Sequence, residues 1–205
     1  MRLLLPLFLA QIALGQGLLG DRVQIGALGG VSLNENFRGF GTKESKPYLV
    51  GPSVEFRIRG GFALEVDAIY RHLGSSGAYN FRSSQDGPTF LYTFRDRINS
   101  WEMPILAKYN FDRRFAKLHP FLSTGYAFRT GWSKTENRTT NPAIIGTAGN
   151  DSRNRLGVGA VAAAGVNLKA GHFRISPQFR YTRWGNESSS RQPNNQADFM
   201  IGIHF

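Results

Sequence analysis

Charged side chains recur at every second position of several segments, and their spacing raises the first chemical question about this sequence. In segment 63–71, Glu65, Asp67 and Arg71 alternate with other residues, and a strand would place all three on one face. Such a face could conduct ions or protons, or its charges could pair with one another. We favour pairing in a narrow interior, because charges cut off from water need partners. The set comprises Glu55, Arg57, Glu65, Asp67, Arg71, Glu102, Lys108, Arg129, Arg174, Arg180 and Asp198.

The histidines are too widely spaced to suggest a metal site. His72, His119, His172 and His204 form no His-x-x-x-His or HExxH pattern, and the chain contains no cysteine. We therefore expect neither a metal nor a cofactor. A nucleophile and its base could still meet across neighbouring strands, but no motif identifies such a pair.

The net charge is strongly positive without being concentrated in basic runs. The 25 Lys and Arg residues exceed the 14 Asp and Glu residues, which gives a formal charge of +11. Their dispersal as single residues argues against a nucleic-acid partner. A phosphorylated polyanion outside a bacterial cell, such as lipopolysaccharide, is the expected counter-charge. The 24 glycines and the many aromatic residues favour an all-β chain.

Residues 1–15 have the pattern of a secretory signal peptide. Arg2 supplies the basic start, an apolar run extends from Leu3 to Leu14, and the small residues Ala13 and Gly15 predict cleavage before Gln16. One domain, 16–205, would remain. No later segment has the roughly 18 consecutive apolar residues of a transmembrane helix, and the lack of cysteine argues against a lipoprotein anchor.

Eight segments show the alternation of antiparallel strands. They are about Arg22–Ser32, Tyr48–Arg59, Phe62–His72, Asn99–Phe111, His119–Thr130, Leu156–Leu168, His172–Trp184 and Ala197–Phe205. Short connections follow the second, fourth and sixth segments, whereas long polar connections follow the first, third, fifth and seventh. This pattern predicts an all-β, eight-stranded antiparallel up-and-down transmembrane β-barrel, with short periplasmic turns and long extracellular loops.

The bulky face of these strands is predicted to point outward. A soluble lipocalin-like barrel would instead turn its apolar face inward around a ligand, but an eight-stranded barrel has room only for modest side chains. The opposite face is rich in Gly, Ala, Ser and charges, which fit a narrow lumen. Outward aromatic residues also fall at two levels, as at two lipid interfaces. The predicted levels are Tyr48, Tyr70, Trp101, Phe128 and Tyr181 at one rim, and Phe56, Phe62, Tyr109, Phe111, Phe173 and Phe205 at the other.

The last strand carries an outward apolar ridge, formed by Phe199, Ile201, Ile203 and Phe205. This ridge resembles the C-terminal signal by which bacterial outer-membrane barrels are handed to the barrel assembly machinery. The segment "WEMPILAKYNF", Trp101–Phe111, is similar to a strand of the small outer-membrane β-barrel, porin-like families, with Glu102 and Lys108 at inward charged positions. The resemblance implies a barrel in the bacterial outer membrane, in contact with lipid and lipopolysaccharide. We expect a monomer.

The expected function is a structural or surface-interaction role without enzymatic activity. The long connections carry more cations than acids, among them Arg38, Lys43, Lys46, Arg82, Arg95, Arg97, Lys134, Arg138, Arg153, Arg155 and Arg191. A lipid-modifying enzyme similar to the lipid A deacylases, which are also eight-stranded barrels, is an alternative of another class. Neither a His-x-Ser motif nor an aligned outward His, Ser and acidic group supports it. A soluble lipocalin-like carrier is the remaining alternative.

Overall fold

The computed structural model describes residues 22–33, 42–43, 48–82, 89–111, 118–139, 149–185 and 194–205. The predicted signal peptide and the predicted turn around Arg114 lie outside these residues. No helix in this part of the chain is long and apolar enough to cross a membrane. The strands are β1 (Val23–Ser32), β2 (Thr42–Lys43), β3 (Tyr48–Arg57), β4 (Phe62–Asp67), β5 (Ile69–Arg82), β6 (Thr89–Asn110), β7 (Leu118–Thr139), β8 (Gly149–Ala170), β9 (Phe173–Trp184) and β10 (Asn195–His204).

The strands close into a ring in which neighbours are antiparallel. The order is β1, β10, β9, β8, β7, β6, then β4 with β5, then β3, which pairs again with β1. The first and last strands close the ring with Gly26 opposite His204 and Ser32 opposite Asp198. The predicted pairing of the last strand with the first is confirmed. The two-residue strand β2 pairs with β5.

One member of the ring is interrupted at Ala68. Its two parts, β4 and β5, keep the same register with β3, since Asp67 lies opposite Ser53 and His72 opposite Tyr48. Pro52 faces the interruption: its carbonyl accepts a hydrogen bond from Ala68 N at 3.0 Å, but proline has no N–H to return. The predicted third strand is therefore one member, and the predicted count of eight is confirmed.

The strands at one end of the barrel are longer than the sequence predicts. β5 and β6 pair as far as Arg82 and Thr89, and β6 and β7 as far as Tyr92 and Thr139. Much of segments 73–98 and 133–154, predicted as loop from their polar residues, is therefore strand. Backbone pairing needs only a partner strand, so polar residues can continue a sheet beyond its apolar zone. We call this end of the barrel the extended end.

Tight turns close the opposite end, which we call the turn end. Gly60 and Gly61 join β3 to β4 with φ angles of 61° and 87°, and Gly171 joins β8 to β9 with a φ of 63°. These left-handed conformations suit glycine, because it has no Cβ to clash with the backbone. The predicted short turns at these two places are confirmed.

Along the middle of the barrel, most bulky apolar side chains face outward and the charged ones face inward. In β9, Phe173 and Phe179 are 47% and 60% exposed, whereas Arg180 is 3% exposed. The predicted facing is confirmed. A lipocalin-like carrier is excluded, because its apolar face would line the interior.

A cysteine pair across β1 and β10 tests the closure of the ring. Ala27 and Ile203 are register partners, and the Cα atoms of directly opposed residues are about 4.5–5.5 Å apart, within the reach of a disulfide. The native chain has no cysteine. We therefore expect Ala27→Cys with Ile203→Cys to form one intramolecular disulfide, measured as a reducible gel shift.

The matched control is Ala27→Cys with Phe199→Cys. Phe199 lies opposite Val31, about 13 Å further along the strand at roughly 3.3 Å per residue. Cross-linking of this control pair, or its absence in the first pair, would contradict closure in this register.

Candidate functional site

An arginine in the lumen binds two carboxylates from different strands. Arg71 of β5 donates from Nε to Glu102 Oε1 at 2.8 Å and from Nη2 to Asp198 Oδ2 at 2.7 Å. Glu102 and Asp198 belong to β6 and β10, and all three side chains are buried. Asp198 lies opposite Ser32, the last residue of β1, so this group lies toward the extended end. We call Arg71, Glu102, Asp198, Arg129 and Gln196 the outer cluster.

The amide of Gln196 joins the two carboxylates of the outer cluster to a second arginine. Its Nε2 donates to Glu102 Oε2 at 3.2 Å and to Asp198 Oδ2 at 2.9 Å. Its Oε1 accepts from Arg129 Nη1 at 3.2 Å and from Trp184 Nε1 at 2.9 Å. The Arg129 guanidinium also lies 4.0 Å from the centroid of the Trp184 ring, a favourable cation–π distance.

A second group of charges lies toward the turn end. Lys108 Nζ donates to Glu55 Oε2 at 2.9 Å and to Glu65 Oε2 at 2.7 Å. Arg174 reaches Glu55 with two N–H groups, at 2.9 and 2.6 Å, the bidentate geometry that suits a guanidinium and a carboxylate. Glu55 lies opposite Gln24, near the start of β1. This group of charges therefore lies near the turn end of the lumen.

Arg180 binds two carboxylates of this group, one of which, Glu65, also binds Lys108. Its Nη2 donates to Glu65 Oε1 at 3.1 Å and to Asp67 Oδ2 at 2.8 Å. Arg180 is also the register partner of Asp198, so it lies between the two groups. We call Glu55, Glu65, Asp67, Lys108, Arg174 and Arg180 the inner cluster.

The two clusters together are electrically neutral. In the described ranges they contain five cations, Arg71, Lys108, Arg129, Arg174 and Arg180, and five carboxylates, Glu55, Glu65, Asp67, Glu102 and Asp198. Pairing offsets the cost of removing each charge from water, which a single buried ion could not recover. This arrangement suits a fixed, neutral interior.

Arg57 belongs to neither cluster, although its position in the alternation predicts an inward side chain. Its side chain is 48% exposed, and its Nε lies 3.9 Å from Glu55 Oε1. Arg57 is the last residue of β3, where the lumen opens at the turn end. The structure thus brings the other predicted lumen residues together and places Arg57 at the rim.

The lumen contains more apolar side chains than the prediction of a polar lining implies. Its buried apolar side chains include two packed groups, Leu28, Leu49, Ile69 and Met200 in one and Leu106, Ala127, Val161 and Trp184 in the other. Trp184 has the inward spacing of Arg180 and Thr182, so strict alternation could have located it. Trp184 is not among the residues predicted for either face.

Aromatic side chains on the outside form two bands. Near the extended end, the ring of Tyr70 has centroid distances of 5.4 Å to Trp101 and 6.5 Å to Trp132. Near the turn end, Phe62 contacts Tyr109 at 4.8 Å, and other rings of this level also pair. The two levels agree with the predicted interfaces, and Trp132 is a member that the prediction missed.

The C-terminal ridge lies on the same outer surface. Ile201, Ile203 and Phe205 are exposed, and the rings of Phe199 and Phe179 pack with centroids 5.0 Å apart. The ring of Phe205 contacts Phe173 at 5.1 Å. The geometry therefore presents this strand to lipid, while its role as an assembly signal stays a prediction.

One histidine lies on the lipid-facing side, where an enzyme of the alternative class would act. His72 Nδ1 is 2.6 Å from Asn99 Oδ1, which also accepts a hydrogen bond from the Tyr70 hydroxyl at 2.9 Å. An amide is neither a nucleophile nor a base, so this trio does not form a nucleophile–base pair. The described residues hold no group of three or more His, Cys, Asp and Glu placed to bind a metal. The absence of enzymatic activity stays a prediction.

Cations dominate the outer face of the sheet at the extended end. Arg95 and Arg97 lie opposite Glu136 and Lys134, and alternation places all four on the outward face with Trp132. Lys134 Nζ is 3.1 Å from Glu136. The Lys134 hydrogen bond, with the charges of Lys134, Arg97 and Arg95, holds the pKa of the Glu136 carboxyl below its ordinary value. The cations that share this face, which we call the basic face, are Arg82, Arg95, Arg97, Lys134 and Arg138.

Other predicted basic residues fall outside this description. Arg38, Lys46 and Arg191 lie outside the described residues. The side chains of Lys43, Arg153 and Arg155 also lie outside it. Within the described part of the chain, the excess of cations is therefore seen only on the strands that extend into these connections.

Comparison with known proteins gives one family and several similar folds. A family model for the outer membrane protein beta-barrel domain matches residues 10–185. The structure of Neisserial surface protein A (NspA) is similar with a TM-score of 0.56 and 12% identity, covering 90% of this chain and 96% of that chain. No curated protein sequence matches the chain. The likeness to NspA supports the fold alone.

Two further solved structures, both from Pseudomonas aeruginosa, have lower scores. The N-terminal β-barrel domain of OprF has a TM-score of 0.49 and 15% identity, over 90% of this chain and 98% of that chain. OprG has a TM-score of 0.44 and 9% identity, over 89% of this chain and 94% of that chain.

Removing the carboxylates that bind Arg180 tests the contribution of the lumen charges to stability. Glu65→Gln with Asp67→Asn leaves the buried guanidinium without its two negatively charged partners, so we expect the unfolding free energy to fall by about 3–5 kcal/mol. Urea unfolding in lipid vesicles, followed by tryptophan fluorescence, measures the change. Adding Arg180→Met should recover part of the loss, because it removes the unpaired charge.

Glu136→Gln is the matched control, since it neutralises an acid of an exposed ion pair. Exposed pairs contribute little to stability, so the unfolding midpoint should stay the same. A double variant as stable as the native protein would show that the lumen pairs do not hold the barrel together.

Proposed function

This chain belongs to the outer membrane protein beta-barrel domain family and lies in the bacterial outer membrane, and from that premise we propose that it is a non-enzymatic surface-interaction barrel. Its basic face binds the phosphate groups of lipopolysaccharide. Its lumen is filled by the outer and inner clusters and serves structure rather than transport. The barrel acts as a monomer, because closure of the ring leaves no strand edge free in the membrane-spanning part of the described residues.

The basic face is the observation that supports this proposal. It carries five cations and one acid, Glu136, among its described residues. The lumen clusters are neutral, so the positive excess of the described extended end lies on this outward surface. A surface of one charge sign attracts polyanions of the opposite sign, and salt weakens that attraction.

The level of the basic face matches the polar zone of a membrane. Tyr70, Trp101 and Trp132 form the aromatic band at the extended end, and such bands mark the lipid–water interface. Lys134 lies two residues beyond Trp132 and Arg97 four beyond Trp101. At roughly 3.3 Å per residue they lie about 7 and 13 Å further along their strands, among the head groups of the outer leaflet.

The lumen supports a structural role for the interior. An eight-stranded barrel is just wide enough for its own side chains. Here the ion pairs of both clusters and two apolar groups occupy the interior. A solute would have to separate charges that already satisfy one another, which is costly away from water.

Binding of purified lipopolysaccharide to the detergent-solubilised protein tests the proposed function. We expect Arg95→Gln with Arg97→Gln and Lys134→Gln to weaken binding by roughly tenfold or more, because charge-assisted bonds to phosphate are lost. The matched control is Arg57→Gln with Arg59→Gln and Lys169→Gln, which removes the same charge at the turn end. The control should weaken binding less than the first variant, because it leaves the basic face intact.

Equal weakening in both variants would show that net charge, rather than the basic face, governs the interaction. Unchanged binding in the first variant would overturn the lipopolysaccharide part of the proposal. Mass spectrometry of lipid A from cells with and without the protein tests the other part. A lost acyl chain or an added group would show that the barrel is an enzyme.

A further inference from the structure

A cavity of about 510 Å³ opens at the turn end of the barrel, the periplasmic side. Its wall comes from the turns around Gly60 and Gly171 and from the ends of the strands that they connect. This volume is typical of a small-molecule site. The inner cluster lies next to it, because Arg174 belongs both to that cluster and to the wall.

The charged side chains in the wall are cationic. Arg57, Arg59, Lys169 and Arg174 line the cavity, and none of the described residues that line it is an Asp or a Glu. The nearest carboxylate of the inner cluster, Glu55, is already held by Lys108 and Arg174. The described side chains of the wall therefore carry more positive than negative charge.

One N–H group in the wall also lacks an acceptor. The Nη atoms of Arg174 hold Glu55, whereas its Nε is buried and has no hydrogen-bond partner among the described residues. A buried donor of this kind costs stability until an acceptor binds.

The wall is shared with the aromatic band at the turn end. Phe62, Phe111, Phe173 and Phe205 line the cavity, and the same residues belong to the outward band near the lipid interface. The cavity thus lies at the level of phospholipid head groups in the periplasmic leaflet. Arginine guanidinium groups match phosphate in charge and geometry.

We propose that this periplasmic cavity binds a phosphate-bearing anion through Arg57, Arg59, Lys169 and Arg174. Two sources share this chemistry: the head group of an inner-leaflet phospholipid and a soluble phosphate. The site is separate from the basic face, which lies at the opposite end of the barrel. A negative result for one surface therefore leaves the proposal for the other surface standing.

The test uses the full chain in neutral-detergent micelles with two probes. Phosphatidylglycerol is added to the micelles and its retention is measured by native mass spectrometry, and inorganic phosphate is titrated by calorimetry. We expect Arg57→Gln with Arg59→Gln and Lys169→Gln to lose roughly tenfold or more in affinity. Arg95→Gln with Arg97→Gln and Lys134→Gln, which removes equal charge at the extended end, should lose less affinity, because it leaves the cavity intact.

The results also identify the source of the phosphate. Retention of phosphatidylglycerol without binding of inorganic phosphate supports a lipid head group, and binding of inorganic phosphate supports a soluble ligand. A second variant, Arg59→Gln with Lys169→Gln, keeps the contact between Arg57 and Glu55. A loss of affinity in this variant therefore does not result from breaking that contact. Equal binding by the two triple variants, or no binding of either probe by the native protein, would overturn the proposal.

Discussion

Closure of the sheet is the constraint on which the other features depend. Once β1 and β10 pair, every inward side chain enters one narrow interior and every outward side chain meets lipid. Charges inside must then neutralise one another, because burial cuts them off from bulk water. The outer and inner clusters meet that demand with matched cations and carboxylates, joined by bonds such as those of Arg71 and Arg180.

The chemistry of the outer surface changes along the barrel axis. Apolar residues cover the middle zone, aromatic bands border it, and cations lie beyond both bands. Since the lumen clusters are neutral, the positive excess of the described residues lies at the two ends, with Lys134 at one and Lys169 at the other. A barrel with a neutral interior can thus present a different basic surface on each side of the membrane.

Features that depend on the two-residue period of a strand could be predicted from the sequence. Features could not be predicted where the residue types favour a different local structure. The facing of Glu65 and Arg180 follows from alternation alone. The extension of β5 and β6 does not, because Ser76 and Gly77 suit a loop as well as a paired strand. Trp184 keeps the inward period, yet it is not among the predicted lumen residues. The cavity at the turn end depends on how separate turns assemble, which local sequence does not specify.

Single-channel recording in planar bilayers tests the account most directly, because a lumen filled by its own ion pairs should not conduct. The purified native barrel, checked for folding by the gel mobility of unheated samples, would be reconstituted and examined for current steps. The account predicts no stable steps above the leak of the bilayer. Large, long-lived steps of reproducible size would contradict it, since they would show an open path past Arg71 and Arg180.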